Sequence, residues 1–345
     1  MQTDKYISNN IEAVEMLDKY FLINWHITGW CNYHCPYCIN REFGTTYTPK
    51  DQVEKIAEKI NDYINKNLNN KRVQLRLIGG EPTYYNIPKI LDKIDHLDRL
   101  TIVTNFSRNN NFFKELYQYC AKRKIYFFLI CSQHEEHPNF VEKFKELTKW
   151  CRSSSYHRKN FKVPQAIILA DQNFSEKTIE EYTSEGIEKL RISILRDNNQ
   201  NHELLNDHQL ELVKNWNKHY EEHNQSIYLD EGIEKNRGFK ITFKDGSTEY
   251  FVNATHFTNL ISDGGLDPTG FYCSSGITNM VIMPNGDIII NKCDYWKDIK
   301  WGNILQDNVK LPEKCMLCPI IKSKHKTKCT LCSGVNLFKN RNYEE

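Results

Sequence analysis

Cys31, Cys35 and Cys38 lie in one short run, Thr28-Gly29-Trp30-Cys31-Asn32-Tyr33-His34-Cys35-Pro36-Tyr37-Cys38, with the spacing C-x3-C-x2-C. Three close thiolates can hold three irons of a [4Fe–4S] cluster and leave the fourth iron open to chelate a ligand. An open position is what separates a reactive metal centre from a sealed one. The same residues also admit a zinc knuckle, with His34 as the fourth ligand, or a set of buried structural thiols.

A second polar constellation follows. Residues 73–78, Val-Gln-Leu-Arg-Leu-Ile, read as a strand that ends in Gly79-Gly80-Glu81-Pro82-Thr83. A Gly-Gly pair lets the backbone approach a ligand closely because no Cβ intervenes. Glu81 would set a carboxylate beside a ligand ammonium. The next strand, 100–103, ends in the polar pair Thr104-Asn105.

The two motifs, with the aromatic Tyr37 just before the last cysteine, resemble those of the radical SAM superfamily. The resemblance implies a cluster on Cys31, Cys35 and Cys38 whose free iron takes the amino and carboxylate groups of S-adenosylmethionine. One electron then cleaves the sulfonium to a 5′-deoxyadenosyl radical. It further implies that Tyr37, Gly79, Gly80, Glu81, Pro82, Thr104 and Asn105 border the cofactor, and that Ser132 meets its ribose.

These residues need a scaffold. From residue 21 to about 220 strand-like and helical patterns alternate, with strands at 21–28, 73–78, 100–103, 125–130, 163–169 and 190–195. Apolar residues at three- and four-residue steps mark helices, as in Val53, Ile56, Ala57, Ile60 and Ile64, or Phe140, Val141, Phe144, Leu147 and Cys151. Such alternation predicts an α/β fold with a parallel sheet. Six units fit the partial (β/α)6 barrel that the resemblance implies, although alternation alone also fits a doubly wound sheet. Every motif above lies just after a strand, where a barrel carries its functional groups. Cys131-Ser132-Gln133-His134 follows the fourth strand in the same way. Cys131 is a candidate hydrogen donor to a substrate radical or simply a buried thiol, and His134 and His137 face the substrate or solvent.

Beyond residue 220 the alternation stops. Segments 239–243 and 248–252 flank a turn at Lys244-Asp245-Gly246-Ser247, and 280–283 and 287–290 flank Pro284-Asn285-Gly286. Cys273, Cys293, Cys315, Cys318, Cys329 and Cys332 occupy the remainder, the last four as two C-x2-C pairs. Alone these read as a zinc ribbon. Their order around a Gly-Asp hairpin and Trp301-Gly302-Asn303-Ile304 resembles the SPASM and twitch extensions of radical SAM enzymes, which implies one or two auxiliary iron–sulfur clusters. Six thiolates exceed the needs of one cluster and fall short of two, so His325 is a candidate further ligand. The expected organisation is an N-terminal extension (1–20), the radical SAM partial barrel (21–220), a bridging segment (221–272) and a β-hairpin, loop-rich iron–sulfur domain (273–345).

The chain has 345 residues and a net charge of +2, so no general attraction to nucleic acid or anionic membrane is implied. It has no run of eighteen apolar residues and no signal-peptide pattern at its start. Twelve cysteines without such a signal suggest metal binding in a reducing cytoplasm. The expected function is hydrogen abstraction from a substrate after reductive cleavage of S-adenosylmethionine, with a peptide or protein side chain as the leading substrate. An external electron donor such as flavodoxin or ferredoxin is the expected partner. About twenty residues precede the first expected strand, too few for a leader-recognition domain, so a separate protein would supply that role. Dehydrogenation or epimerisation of a small polyol or aminosugar is the alternative, and a non-enzymatic zinc-binding interaction module is the reading from another class.

Overall fold

The chain order is β1 (Ile11–Met16), β2 (Tyr20–Thr28), α1 (Lys50–Asn67), β3 (Arg72–Gly79), α2 (Ile87–Leu91), β4 (Arg99–Thr104), α3 (Asn110–Lys122), β5 (Tyr126–Ser132), α4 (Phe140–Ser153), β6 (Gln165–Ala170), α5 (Glu176–Ser184), β7 (Leu190–Ile194) and α6 (Asp207–Asp230). Short strands β8 (Phe239–Phe243), β9 (Thr248–Phe251), β10 (Tyr272–Cys273), β11 (Asn279–Ile282), β12 (Ile288–Ile289), β13 (Met316–Leu317) and β14 (Leu337–Phe338) follow. This computed structural model describes residues 11–16, 20–38, 45–68, 71–134, 137, 139–154, 163–171, 173–184, 186–187, 189–194, 205–230, 239–251, 272–273, 275–289, 299–313, 316–317 and 337–338. Contacts divide the chain into two compact units.

The larger unit is Asn24–Asn224 with Met283–Asn285. Its strands β2 to β7 lie side by side in sequence order, and those from β3 to β7 pair in parallel. Consecutive parallel neighbours are what repeated strand–helix units give when each crossover has the same hand. The sheet ends at β7, so the expected partial barrel is open. Paired residues share a face. Leu75, Leu100 and Phe127 are in register and fully buried, and Phe127 packs edge-on against Tyr117 of α3, with ring centroids 4.6 Å apart. That face therefore meets the helices. Because side chains alternate along a strand, Gln74, Arg76, Thr101, Tyr126 and Phe128 line the other, inner face.

The helices form where apolar residues recur on one side. In α1, Val53, Ile56, Ala57, Ile60 and Ile64 are buried, each larger side chain stabilising the layer by roughly 1.5–3 kcal/mol. In α3 the Asn109 side chain accepts from the Phe112 amide at 3.0 Å, an N-cap that starts the helix at Asn110. Beside α6, Leu205 and Val213 join Ala170, Phe174, Ile179 and Ile192 in a core cluster, with Leu212 and Trp216 packed against it.

The smaller unit gathers Met1–Ile23, Gln225–Ile282 and Gly286–Glu345. Strands β1, β8 and β9 form an antiparallel sheet in that order, and β10 pairs with β13 and β14. Both expected hairpins form: β8 and β9 flank Asp245-Gly246, and β11 and β12 pair around Asn285-Gly286. The first strand begins earlier than the sequence pattern suggests. Ile11–Met16 escapes notice because Glu12 and Glu15 break its apolar alternation and its register with β8 shifts between Ile11 and Ala13. Residues 1–20 therefore contain a strand, and 239–251 of the expected bridging segment form a hairpin. Cys293, Cys315, Cys318, Cys329, Cys332 and His325 lie outside the described residues, and of Cys273 only the backbone, in β10, is described. Among the described residues no helix is long and apolar enough to cross a membrane.

Candidate functional site

The C-terminal ends of β2, β3, β4 and β5 bring the candidate residues together in the larger unit. Gly79 and Gly80 end β3, and the Thr28–Trp30 backbone runs directly over them. A Cβ on Gly80 would stand 1.8 Å from the Trp30 carbonyl oxygen, and one on Gly79 would stand 2.3 Å from that of Thr28. Gly79 also has φ +122°, a conformation few side chains tolerate. Hydrogen bonds from the Gly80 amide to Thr28 (2.8 Å) and from the Glu81 amide to Trp30 (2.9 Å) fix the contact. The close approach that the Gly-Gly pair permits is thus made by the chain's own cysteine loop.

Glu81 is fully buried. Its Oε1 accepts from the Thr83 amide (3.0 Å), the Thr83 hydroxyl (2.5 Å) and the Thr104 hydroxyl (2.7 Å), and its Oε2 accepts from the Asn105 amide (2.7 Å). One carboxylate so ties the end of β3 to the end of β4. Burial pushes its pKa up, and the four donors pull it down. Two of those donors are backbone amides that cannot turn away, and they favour the ionised form. Pro82 starts a short 3-10 turn behind it.

Asn105 carries the connection on to the cysteines. Its Nδ2 lies 3.5 Å from Cys31 Sγ and 2.8 Å from Asn32 Oδ1, while its Oδ1 accepts from the Ser107 amide at 3.0 Å. The Tyr33 amide points at Cys31 Sγ from 3.4 Å. Burial raises the Cys31 thiol, with Glu81 and Cys38 adding to the rise, whereas the Tyr33 amide and Asn105 lower it. Cys35 is buried, and Cys31 and Cys38 are half-buried. Across the loop, His134 Nδ1 lies 3.4 Å from Cys35 Sγ and 3.3 Å from the Tyr37 hydroxyl, and its ring stacks on Tyr37 with centroids 6.1 Å apart.

Three thiols on one loop, two of them half-open and one approached by N–H donors, suit an iron–sulfur cluster. N–H groups aimed at sulfur stabilise thiolate and sulfide charge. Among the described residues no three His, Cys, Asp or Glu side chains meet as ligands of a single metal ion do, and His34 is exposed. A cluster sets each cysteine on a different iron, so its thiols need not meet at one point.

Residues 25–152 match the family model of the Radical SAM superfamily. This is a radical SAM domain. Among curated proteins, the chain is 31% identical over 114 residues to an S-adenosylmethionine-dependent nucleotide dehydratase of Psychrobacter lutiphocae, covering 30% of this chain and 38% of that protein. It is 29% identical over 133 residues to a GTP 3',8-cyclase of Rhizobium etli, covering 36% of this chain and 34% of that protein. The chain thus spans little more than a third of the length of these curated relatives. A solved structure of native anSMEcpe with bound AdoMet is similar with a TM-score of 0.49 at 12% identity, over 89% of this chain and 82% of that one. The domain and the relatives mark the chain as an enzyme.

Within the radical SAM domain, Cys31, Cys35, Cys38, Tyr37, Gly79, Gly80, Glu81, Pro82, Thr104 and Asn105 all fall in one connected region. Ser132 ends β5 on the inner face. Cys131, the candidate hydrogen donor, lies on the opposite face, fully buried and in register with Thr104, with its thiol pushed up by burial. It shares that face with Phe127 and Leu129, so burial in the helix-side core accounts for it. His137 turns to β4, its Nε2 3.0 Å from the carbonyl of Phe106, which Lys143 Nζ also contacts. Sequence reasoning missed the carbonyls of Thr28 and Trp30 and the place of His134 beside Cys35. Thr28 was findable as a polar strand end; a backbone acceptor leaves no signal in side-chain identity.

Proposed function

We propose that this enzyme cleaves S-adenosylmethionine reductively to a 5′-deoxyadenosyl radical, which takes a hydrogen from a substrate carbon. A [4Fe–4S] cluster on Cys31, Cys35 and Cys38 supplies the electron, drawn from an external donor such as flavodoxin or ferredoxin. The observation that carries the reading is the chain of contacts from Glu81 through Asn105 to Cys31, which holds the cysteine loop over the strand ends of a radical SAM domain. Gly79, Gly80 and Glu81 set the loop's height. Asn105 and the Tyr33 amide stabilise charge on Cys31 sulfur, and Tyr37 with His134 walls one side. The inner face of the barrel takes the substrate, and burial around the strand ends keeps water from the radical.

A peptide or protein side chain is the first substrate reading, supported by the SPASM- and twitch-like order of the C-terminal cysteines. Those cysteines would hold one or two auxiliary iron–sulfur clusters, and a separate protein would recognise any leader segment. A nucleotide is the second reading, because the two curated relatives above are named for a nucleotide and for GTP. Both readings place the protein in the cytoplasm.

The test is reductive cleavage by anaerobically reconstituted protein. Wild type supplied with dithionite should form 5′-deoxyadenosine, and Cys35→Ala should not. Undiminished 5′-deoxyadenosine from that variant would overturn the assignment.

A further inference from the structure

The contacts that run from Glu81 to Cys31 continue past Asn105 and return to a second cysteine. Phe106, the next residue, is fully buried and has φ +61°. A bulky side chain rarely adopts that left-handed conformation, which persists only where the surroundings hold it. The Phe106 amide donates to Thr104 Oγ1 at 3.0 Å. Its carbonyl oxygen accepts from His137 Nε2 at 3.0 Å and from Lys143 Nζ. The Lys143 ammonium stands 4.3 Å from the centroid of the Phe106 ring, within reach of a cation–π attraction. The His137 ring stacks on the same ring, with centroids 6.2 Å apart. Donors and rings together lock the turn.

The locked turn fixes Asn105. Across Phe106, Asn105 Oδ1 accepts from the Ser107 amide at 3.0 Å, which leaves Nδ2 directed at Asn32 and at Cys31 Sγ. On its other side, the His137 amide donates to the carbonyl of His134 at 3.0 Å. His134 is the residue whose Nδ1 lies 3.4 Å from Cys35 Sγ. A metal-bound cysteine sulfur carries no proton, so in the loaded protein that contact takes its hydrogen from the His134 ring. His137 thus touches the backbone behind the N–H donors of two different cysteines. Its own tautomer is set too. A carbonyl only accepts, so Nε2 carries the proton and Nδ1 is a lone pair, buried and without a hydrogen-bond partner. An unsatisfied buried acceptor opposes folding, so stability alone is a poor reason for a histidine here.

We propose that His137 is a positioning residue for the N-terminal cluster: bound to the carbonyls of Phe106 and His134, it sets the Asn105 donor on Cys31 and the His134 donor on Cys35. Hydrogen bonds to cluster sulfur favour the reduced form, so the reduction potential is the property His137 governs. Lys143 shares the Phe106 carbonyl and holds the turn in place from α4. The inference deepens the functional reading above and rests on it for the identity of the cluster.

A redox titration of the full-length, anaerobically reconstituted protein, followed by electron paramagnetic resonance, tests this. His137→Leu should shift the one-electron equilibrium of the N-terminal cluster about tenfold towards the oxidised form, a drop of about 59 mV. His137→Gln keeps an N–H at the place of Nε2 and should restore the wild-type potential. Combined with Asn105→Leu or with His134→Leu, the His137→Leu drop should be smaller than the sum of the single drops, because each pair acts on one donor. A second measurement needs no iron. In apo-protein labelled with ¹⁵N at asparagine, the side-chain amide resonances of Asn105 should move in His137→Leu and return in His137→Gln. Lys143 still donates to Phe106 in both variants, which favours their folding. Formation of 5′-deoxyadenosine by wild type is followed alongside: its absence would overturn the functional reading, whereas the apo-protein spectra bear on His137 alone. An unchanged potential in His137→Leu, additive drops in either pair, no rescue by His137→Gln, or unmoved Asn105 resonances would each refute the positioning role.

Discussion

The backbone amide of Glu81 donates to the carbonyl oxygen of Trp30 at 2.9 Å, which fastens the residue before the first cysteine to the end of β3. Everything the cysteine loop does depends on that height. Gly80→Ala would drive a methyl group into the Trp30 carbonyl, where only backbone movement can relieve the clash. The expected cost is about 1–3 kcal/mol, read from a denaturation midpoint. Iron bound at the N-terminal cysteines should fall with it. A variant with wild-type stability and iron content would show that the loop does not pack on the glycines as described.

Glu81→Gln should act on folding more than its charge alone suggests. The amide oxygen can still accept from Thr83 and Thr104, but the amide nitrogen then faces the Asn105 N–H, leaving a buried donor without an acceptor. The expected destabilisation is roughly 1–3 kcal/mol. Hydrogen exchange at the Asn105 amide should accelerate more than exchange in α4. An unchanged Asn105 rate would remove the carboxylate from its structural role.

Asn105→Leu should lower the reduction potential of the N-terminal cluster. It deletes an N–H donor 3.5 Å from Cys31 sulfur, and hydrogen bonds to cluster sulfur favour the reduced form. A redox titration followed by electron paramagnetic resonance measures the shift. Equal or higher potential in the variant contradicts the contact.

Lys143 gives a pH signature. Burial lowers its pKa from 10.5 to about 8, against opposing influences from Cys131 and Glu81. Between those two values the unfolded chain binds more protons than the folded one. Lys143 should therefore make stability rise with pH from about 8 towards 10.5, with no slope from this group below 8. Lys143→Met should lose that rise. Parallel pH–stability curves for the two proteins over this window would mean that the ammonium is solvated in the folded state.

The C-terminal cysteines call for a metal analysis. A Cys31→Ala/Cys35→Ala/Cys38→Ala variant should remain brown, with about four irons for one auxiliary cluster or about eight for two. A colourless variant with stoichiometric zinc would point instead to a zinc ribbon.

The six strands of the larger unit were legible because buried β-branched and leucine-rich runs, cut by polar strand ends, have few other readings. The candidate residues were legible for the same reason, since Cys31, Gly79 and Thr104 each punctuate such a run. Partnership was not. The Gly-Gly pair signals that something approaches closely, yet its identity as the Thr28–Trp30 backbone depends on how two distant segments stack. His134 reaches Cys35 only because β5 is brought beside the loop. Strand β1 was hidden by two glutamates and a register shift.

The pairing of β1 with β8 has a consequence for biosynthesis. Ile11–Met16 leaves the ribosome more than two hundred residues before Phe239–Phe243, its antiparallel neighbour. At ordinary translation speeds the strand waits roughly 10–45 s with its edge unpaired, while much of the barrel segment is being made. An apolar strand left open that long invites pairing with the wrong chain, and charged residues are the usual deterrent. Glu12 and Glu15, which obscured the strand in the sequence, supply that deterrent where the nascent chain needs it.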